Sequence, residues 1–171
     1  MNSELDGKIV LVTGGAGGIG SVISESFAEQ GAKVIVHYKH SKEKAELIAK
    51  KIKGVAMYAD LTDSEQTKTL FNDIIDEVGK IDICIANAGK YPKDYAPLWE
   101  IGIERWNNTI STNLSLTYNT SRYFLKHVAE TKKGSLVLIG STAGIYGEAG
   151  HADYAAAKGA ITSGLLRTLK N

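Results

Sequence analysis

Short apolar runs rich in β-branched residues alternate along this chain with longer stretches of helical period, and that alternation leaves few folds open. The runs are KIVLVTG (Lys8 to Gly14), KVIVHY (Lys33 to Tyr38), VAMYAD (Val55 to Asp60), IDICIANAG (Ile81 to Gly89) and GSLVLIGS (Gly134 to Ser141). The first is apolar without polar alternation and stops at glycine, as a strand buried on both faces does. From Gly18 the period changes. Ile19, Val22, Ile23, Ser26, Phe27 and Gln30 fall at helical spacing, and Gly31 closes the helix. Ser41 can cap a second helix running to about Ile52. Asp63 or Ser64 starts a third, with Thr67, Leu70, Phe71, Ile74 and Val78 on one face. Helices are expected over about Thr112 to Thr131 and Asp153 to Lys170. The stretch Tyr91 to Trp106 is the least regular, with both prolines and both tryptophans in or beside it. Strands separated by helices require a parallel sheet with right-handed crossovers. The expected fold is therefore α/β and Rossmann-like: a doubly wound parallel sheet of five strands in the order 3-2-1-4-5, with helices on both faces.

Composition narrows the classes of partner. The 171 residues suit a single domain, 1–171. A formal net charge of +1 gives no overall field that points to nucleic acid or to an anionic membrane. No apolar run approaches the roughly 20 residues of a membrane helix. The start, MNSELDGKIVLVTGG, lacks the apolar core and cleavage site of a signal peptide. The single cysteine, Cys84, cannot form an internal disulfide or a cysteine-based metal site. The four histidines (His37, His40, His127, His151) show no paired ligand spacing, so no metal is expected. These readings suggest a cytoplasmic protein with no nucleic acid or membrane partner.

The turn TGGAGGIG (Thr13 to Gly20) lies between the first strand and the first helix. Gly14, Gly18 and Gly20 permit a tight turn, close approach of a pyrophosphate to the backbone, and close packing of helix on strand. The helix N-terminus adds free amides and a partial positive charge. A second feature is DYAAAK, Asp153 to Lys158. Tyr154 and Lys158 stand four residues apart, so they share a helix face, with only alanines between them. A phenol with its ordinary pKa of about 10 is a poor base near neutral pH, and a neighbouring ammonium favours the phenolate. Each residue also has a plainer reading. Tyr154 could pack with its hydroxyl in water, Lys158 could be a solvated helix lysine, and Ser141 an ordinary turn serine. Asn113 could be a helix N-cap, Asp60 could end its strand and cap a turn, and His151 could be a loop residue.

Taken together, the glycine turn and the tyrosine–lysine pair resemble the short-chain dehydrogenase/reductase family, in its shorter, non-extended branch. The resemblance is strongest to 3-oxoacyl-carrier-protein reductases and sugar-alcohol dehydrogenases, and it covers nearly the whole chain in order. It implies a catalytic set of Asn113, Ser141, Tyr154 and Lys158. Tyr154 would act as acid and base, Ser141 would hold the substrate oxygen, and Asn113 would position a water that connects Lys158 to solvent. It also implies that Asp60 and Leu61 in ADLT meet the adenine end of a nicotinamide cofactor. Asn87, Ala88 and Gly89 in ANAG would follow it, and Gly14, Gly18, Ile19 and Gly20 would hold the pyrophosphate. Lys158 would hydrogen-bond the nicotinamide ribose beside Tyr154.

The second strand ends in HYKHS, with no acid for a ribose 2′-hydroxyl, while Lys39 and His40 could face a 2′-phosphate. NADP is therefore favoured over NAD. The expected reaction interconverts a small-molecule ketone and secondary alcohol. Family members usually continue through two more strands and a lid, so the C-terminal strands are expected to be absent from this chain. The alternative is a non-catalytic nucleotide-binding or interaction module, derived by loss of that lid. The small residues Ala155, Ala156, Ala157, Gly159 and Ala160 suggest a homodimer or homotetramer if the full family architecture is present.

Overall fold

The computed structural model describes residues 4–170. The elements are β1 (Ile9–Val12), α1 (Gly18–Glu29), β2 (Lys33–Tyr38), α2 (Lys42–Ile52), β3 (Val55–Tyr58), α3 (Ser64–Glu77) and β4 (Ile83–Ala86). After a single 3-10 turn at Leu98–Glu100 come α4 (Ile103–Ile110), α5 (Leu116–Thr131), β5 (Ser135–Leu138), α6 (Ala143–Tyr146), α7 (Ala152–Gly159) and α8 (Leu166–Lys170). The five strands form one sheet in the order β3-β2-β1-β4-β5, as expected from the crossover rule. Strand β1 pairs in parallel with both β2 and β4, and β2 with β3.

The chain divides into two compact units. The first comprises residues 4–88 and Asn119–Val137; the second comprises Gly89–Tyr118 and residues 138–170.

In the first unit the core is the sheet centre. Val10, Leu11 and Val12 of β1 and Val34, Ile35 and Val36 of β2 are buried on consecutive positions, so both sheet faces are covered. Asp63 caps α3 by accepting from the Glu65 and Gln66 amides at 2.8 and 3.1 Å, and Thr67, Leu70, Phe71 and Ile74 turn inward. Ser41 occupies the N-cap position of α2 but makes no side-chain cap bond. One expectation needs correction. The buried residues of α1 are Gly20 and Ser24, while Ile19 and Val22 are each 64 % exposed. The helix start lies so close to the glycine turn that its smallest side chains face inward. A Cβ at Gly20 would collide with the Gly14 carbonyl oxygen and lie 2.8 Å from Asn87 Nδ2.

The second unit differs most from the sequence reading. Helix begins at Ile103, not near Thr112, with Gly102 as N-cap. It then widens into a π turn over Ser111–Ser115 before α5. The final helix is likewise interrupted by a wide turn over Ala160–Leu165. The first wide turn shifts the apolar spacing by one residue, which hides the start at Ile103 from a 3.6-residue pattern, whereas the last helix is expected as one run over Asp153 to Lys170 in spite of its turn. Ala157 and Ile161 form the buried face beneath α7.

The glycine positions give a signed test. Ala is normally better than Gly in a helix by up to about 1 kcal/mol. Gly20→Ala should instead destabilise by about 1–3 kcal/mol, because the backbone must shift to admit the methyl group. Gly18→Ala, where a Cβ would meet nothing within 4 Å, should be neutral or stabilising. Urea denaturation of the two variants decides it, and equal effects would refute the close-approach reading.

Candidate active site

The first unit holds the glycine turn. Thr13 is its hub: the hydroxyl donates to the Ile85 carbonyl at 3.2 Å and accepts from the Asn87 and Ala88 amides at 2.9 and 3.0 Å. Asn87 Nδ2 donates to the Thr13 carbonyl at 2.8 Å. The end of β4 and the turn after β1 are thereby held together. Gly14 takes a left-handed φ of 62°, which glycine adopts without strain. Gly17, Gly18 and Ile19 are exposed, and α1 has no side-chain cap and no acidic residue in its first turn. The first amides of a helix have no intrahelical acceptor. This N-terminus therefore presents free donors and open space above Gly18, which fits a phosphate group.

Asp60 and Lys39 meet directly. Lys39 Nζ lies 2.6 Å from Asp60 Oδ2, and Asp60 Oδ1 accepts from the Thr62 amide and hydroxyl at 3.0 and 2.7 Å. Partial burial pushes the Asp60 carboxyl up, but the Lys39 and Thr62 bonds outweigh it and hold it below its ordinary range. Leu61 is buried, and its carbonyl accepts from Asn119 Nδ2 at 2.9 Å.

The second unit holds Gly89, Asn113, Ser141, Tyr154 and Lys158. Asn113 is fully buried in the wide turn and is not an N-cap. Its Nδ2 donates to the Lys90 and Thr109 carbonyls at 2.9 and 3.0 Å, and its Oδ1 accepts from the Lys90 amide at 3.2 Å. Gly89 packs on this amide; a Cβ there would lie 2.9 Å from Asn113 Oδ1 and 3.6 Å from Lys158 Nζ. Lys158 is buried and donates to the Ile139 carbonyl at 2.8 Å, which ties α7 to the segment carrying Ser141. Burial pulls its pKa below the ordinary lysine value. Nζ sits 5.9 Å from the centre of the Tyr154 ring. Ser141 Oγ accepts from the Ala143 amide at 3.2 Å, so its own proton stays available to a ligand oxygen. Tyr154 is partly exposed.

Several residues around this set had no signal in the sequence reading. Tyr91 packs edge-on against Tyr154 at 5.1 Å and stacks on His151 at 4.7 Å. Its hydroxyl donates to Glu148 at 2.6 Å, and that bond first, then burial, pushes the phenol up to about 12. Asp153, fully buried beside Tyr154, accepts from Arg105 Nε and Nη2 at 3.0 and 3.3 Å and from the Thr109 hydroxyl at 2.8 Å. Arg105 also donates to the Asp94 and Gly150 carbonyls at 2.8 and 3.2 Å. One guanidinium thus fixes two loops and the first turn of α7. Only a long-range pairing of Arg105 with Asp153, 48 positions apart, carries this information. Among the described residues no three His, Cys, Asp or Glu side chains are placed to hold a metal ion. No helix among them is long and apolar enough to cross a membrane.

A parallel sheet in this order, with a glycine turn leading to a free helix N-terminus, defines the Rossmann-like class. Within that class, the short chain dehydrogenase family profile matches residues 8–171. The chain belongs to the short chain dehydrogenase family. It is 33 % identical over 170 residues to a 3-oxoacyl-(acyl-carrier-protein) reductase of Thermotoga maritima, covering 96 % of this chain and 68 % of that protein. It is 36 % identical over 166 residues to versicolorin reductase 1 of Aspergillus parasiticus, covering 94 % of this chain and 62 % of that protein. A 3-oxoacyl-(acyl-carrier-protein) reductase of Vibrio cholerae is 36 % identical over 161 residues, covering 92 % and 64 %. The chain thus spans about two thirds of the length of these relatives.

Arg105→Ala should cost about 3 kcal/mol, because it leaves a buried carboxylate without its cation. Burial raises the Asp153 carboxyl, but the Arg105 and Thr109 bonds and the Tyr154 amide outweigh it and hold the pKa below the ordinary carboxylate value. Its stabilising contribution is present above the unfolded value of about 3.9 and is lost as pH falls through the lower folded value. Denaturation midpoints of wild type and Arg105→Ala should therefore converge in acid. A constant gap down to pH 2 would contradict this.

Proposed function

We propose that the protein is an NAD(P)-dependent oxidoreductase that interconverts a ketone and a secondary alcohol. The observation that carries this reading is the placement of Tyr154 and Lys158 on successive turns of α7, with Lys158 buried and bonded to Ile139 two residues before Ser141. The named relatives are reductases, which supports the same reaction class.

Gly14, Gly18, Ile19 and Gly20 would hold a dinucleotide's pyrophosphate, with Asn87 and Ala88 bracing the turn. Asp60 and Leu61 would meet its adenosine end. When bound, the nicotinamide supplies or accepts the hydride. This chain's side chains do the rest. Tyr154 gives or takes the proton at the substrate oxygen. Ser141 donates its free proton to that oxygen and stabilises charge there. Lys158 spends one N–H on Ile139, which leaves two for the ribose hydroxyls and keeps positive charge near the phenol. Asn113 and Gly89 fix the wall beside Lys158, and the Asn113 turn would seat a water in the proton path.

NADP is preferred in this reading, because β2 ends at Tyr38 and is followed by Lys39 and not by an acid. A 2′-phosphate would compete with Asp60 for the Lys39 ammonium, so the pair sets the preference. Homo-oligomerisation is part of the same proposal. Ala156, Ala160 and Gly164 leave an exposed stripe of small residues along α7 and the following turn, suited to close approach of a second copy.

Tyr154→Phe should lower turnover on the order of 10²–10⁴-fold while leaving dinucleotide affinity nearly unchanged. Nicotinamide absorbance and a fluorescence titration measure the two quantities. Wild-type turnover in the variant would end the acid–base assignment. A wild-type chain that binds dinucleotide without turning over any carbonyl would favour a non-catalytic module. Lys39→Ala should weaken NADPH relative to NADH by about tenfold, the worth of one charge-assisted bond. An unchanged ratio would remove Lys39 from the cofactor reading.

A further inference from the structure

We propose that His37 is a positioning residue of the dinucleotide turn: its neutral imidazole, protonated on Nε2, sets the orientation of the Gly14 amide. The proposal rests on the dinucleotide reading above and adds to it a residue to which that reading gives no role.

His37 is the fifth residue of β2 and only 2 % exposed. Its Nδ1 lies 3.0 Å from the Gly14 nitrogen. That nitrogen carries a hydrogen, so Nδ1 must offer a lone pair and the ring proton must sit on Nε2. Nε2 lies 3.0 Å from the Ala59 carbonyl oxygen, which can only accept. The two contacts select the same tautomer independently. The His37 carbonyl accepts from the next amide of the turn, Gly15, at 2.9 Å. One residue therefore holds two consecutive amides of the glycine turn and ties them to the end of β3, next to Asp60.

The side chain does more than fill space. A Val or Ile at this position would continue the run Val34–Val36 and pack well in β2. It would leave the Gly14 amide, on the inner side of the turn, with no acceptor, and an unpaired buried amide is costly. Protonation would have the same effect, since an imidazolium has no lone pair to offer. Burial is the main influence on the ring and lowers its pKa to about 4; the Ala59 carbonyl and the Asp60 carboxylate act in the opposite direction. The ring thus stays neutral, with its acceptor intact, at neutral pH. Lys39 pairs with Asp60 and limits the pull of that carboxylate.

Asn and Gln separate the two halves of the clasp. An Asn side chain ends near the position of Nδ1, so His37→Asn keeps an acceptor for Gly14 and gives up Ala59. A Gln side chain reaches toward Nε2, so His37→Gln keeps a donor for Ala59 and gives up Gly14. The full chain and both variants would be titrated with NADPH and with NADH by nicotinamide fluorescence, with urea denaturation run in parallel. His37→Asn should bind within about threefold of wild type, and His37→Gln should bind at least about tenfold more weakly at similar stability. Equal losses in the two variants, or no loss in either, would overturn the proposal while wild-type binding left the dinucleotide reading standing. A wild-type chain that binds neither nucleotide would overturn both. Amide exchange by NMR gives a readout that needs no variant. The Gly14 amide should exchange far more slowly than the amides of the exposed helix start, Gly18 and Ile19, and equal rates would refute the clasp.

Discussion

The first unit depends on how close its glycine turn can come to the end of β4. That approach is possible because Gly14 and Gly20 lack side chains. It is stable because Thr13 and Asn87 satisfy the polar groups brought together there. Thr13 has one proton and two lone pairs, and all three find partners within 3.2 Å. A hydroxyl with fewer partners would leave buried amides unpaired at about 1–3 kcal/mol each. The geometry that orders this node also frees the first amides of α1, because the turn places Gly17 at the cap with no side chain to occupy them. The free amides and the structural economy here have one origin.

The second unit uses charge where the first uses absence of side chains. Asp153 and Lys158 are both buried on α7, one on each side of Tyr154 in the sequence, and each has its own answer to burial. Asp153 takes a bidentate guanidinium and a hydroxyl, so its negative charge is closed off. Lys158 takes a single carbonyl and keeps two protons to give. The asymmetry matters chemically. A closed ion pair fixes the start of the helix, while a partly satisfied ammonium keeps N–H groups to give.

Much of this was legible in the sequence. Strand runs, their order, the glycine turn and the Tyr154–Lys158 spacing depend on local pattern, and the fold repeats them with small shifts at the ends. Asp63 could be read as a cap because capping is local. What escaped was non-local or depended on size. The inward face of α1 followed the smallest residues, not the most apolar, since contact distance to the turn outweighed hydrophobicity there. Arg105, Tyr91 and His37 act through partners far along the chain, and no spacing rule relates them. His37 has no second histidine at metal-ligand spacing, and its position within β2 makes burial, but not its partners, legible in the sequence.

The first wide turn separates the helix start at Ile103 from the regular pattern that the sequence shows from near Thr112. In a π turn the amide bonds one residue further back, so carbonyls of the preceding turn lose their regular partners. Side-chain donors supplement the backbone bonds there. Thr112 donates to the Asn108 carbonyl at 2.7 Å, Asn113 to that of Thr109 at 3.0 Å, and Thr117 to that of Asn113 at 2.7 Å. In the second wide turn Thr162 donates to the Lys158 carbonyl at 3.0 Å. Thr and Asn are poor helix formers because they make such backbone bonds. Here the same tendency adds side-chain donors on either side of the insertion. The first wide turn contains Asn113 and the second begins two residues after Lys158, so the irregular backbone lies beside two side chains of the candidate site. A strictly regular helix through Ser111–Ser115 would rotate every later residue by roughly 100° about its axis. Leu116 and Thr117, both buried directly after the turn, would then leave the face they now hold.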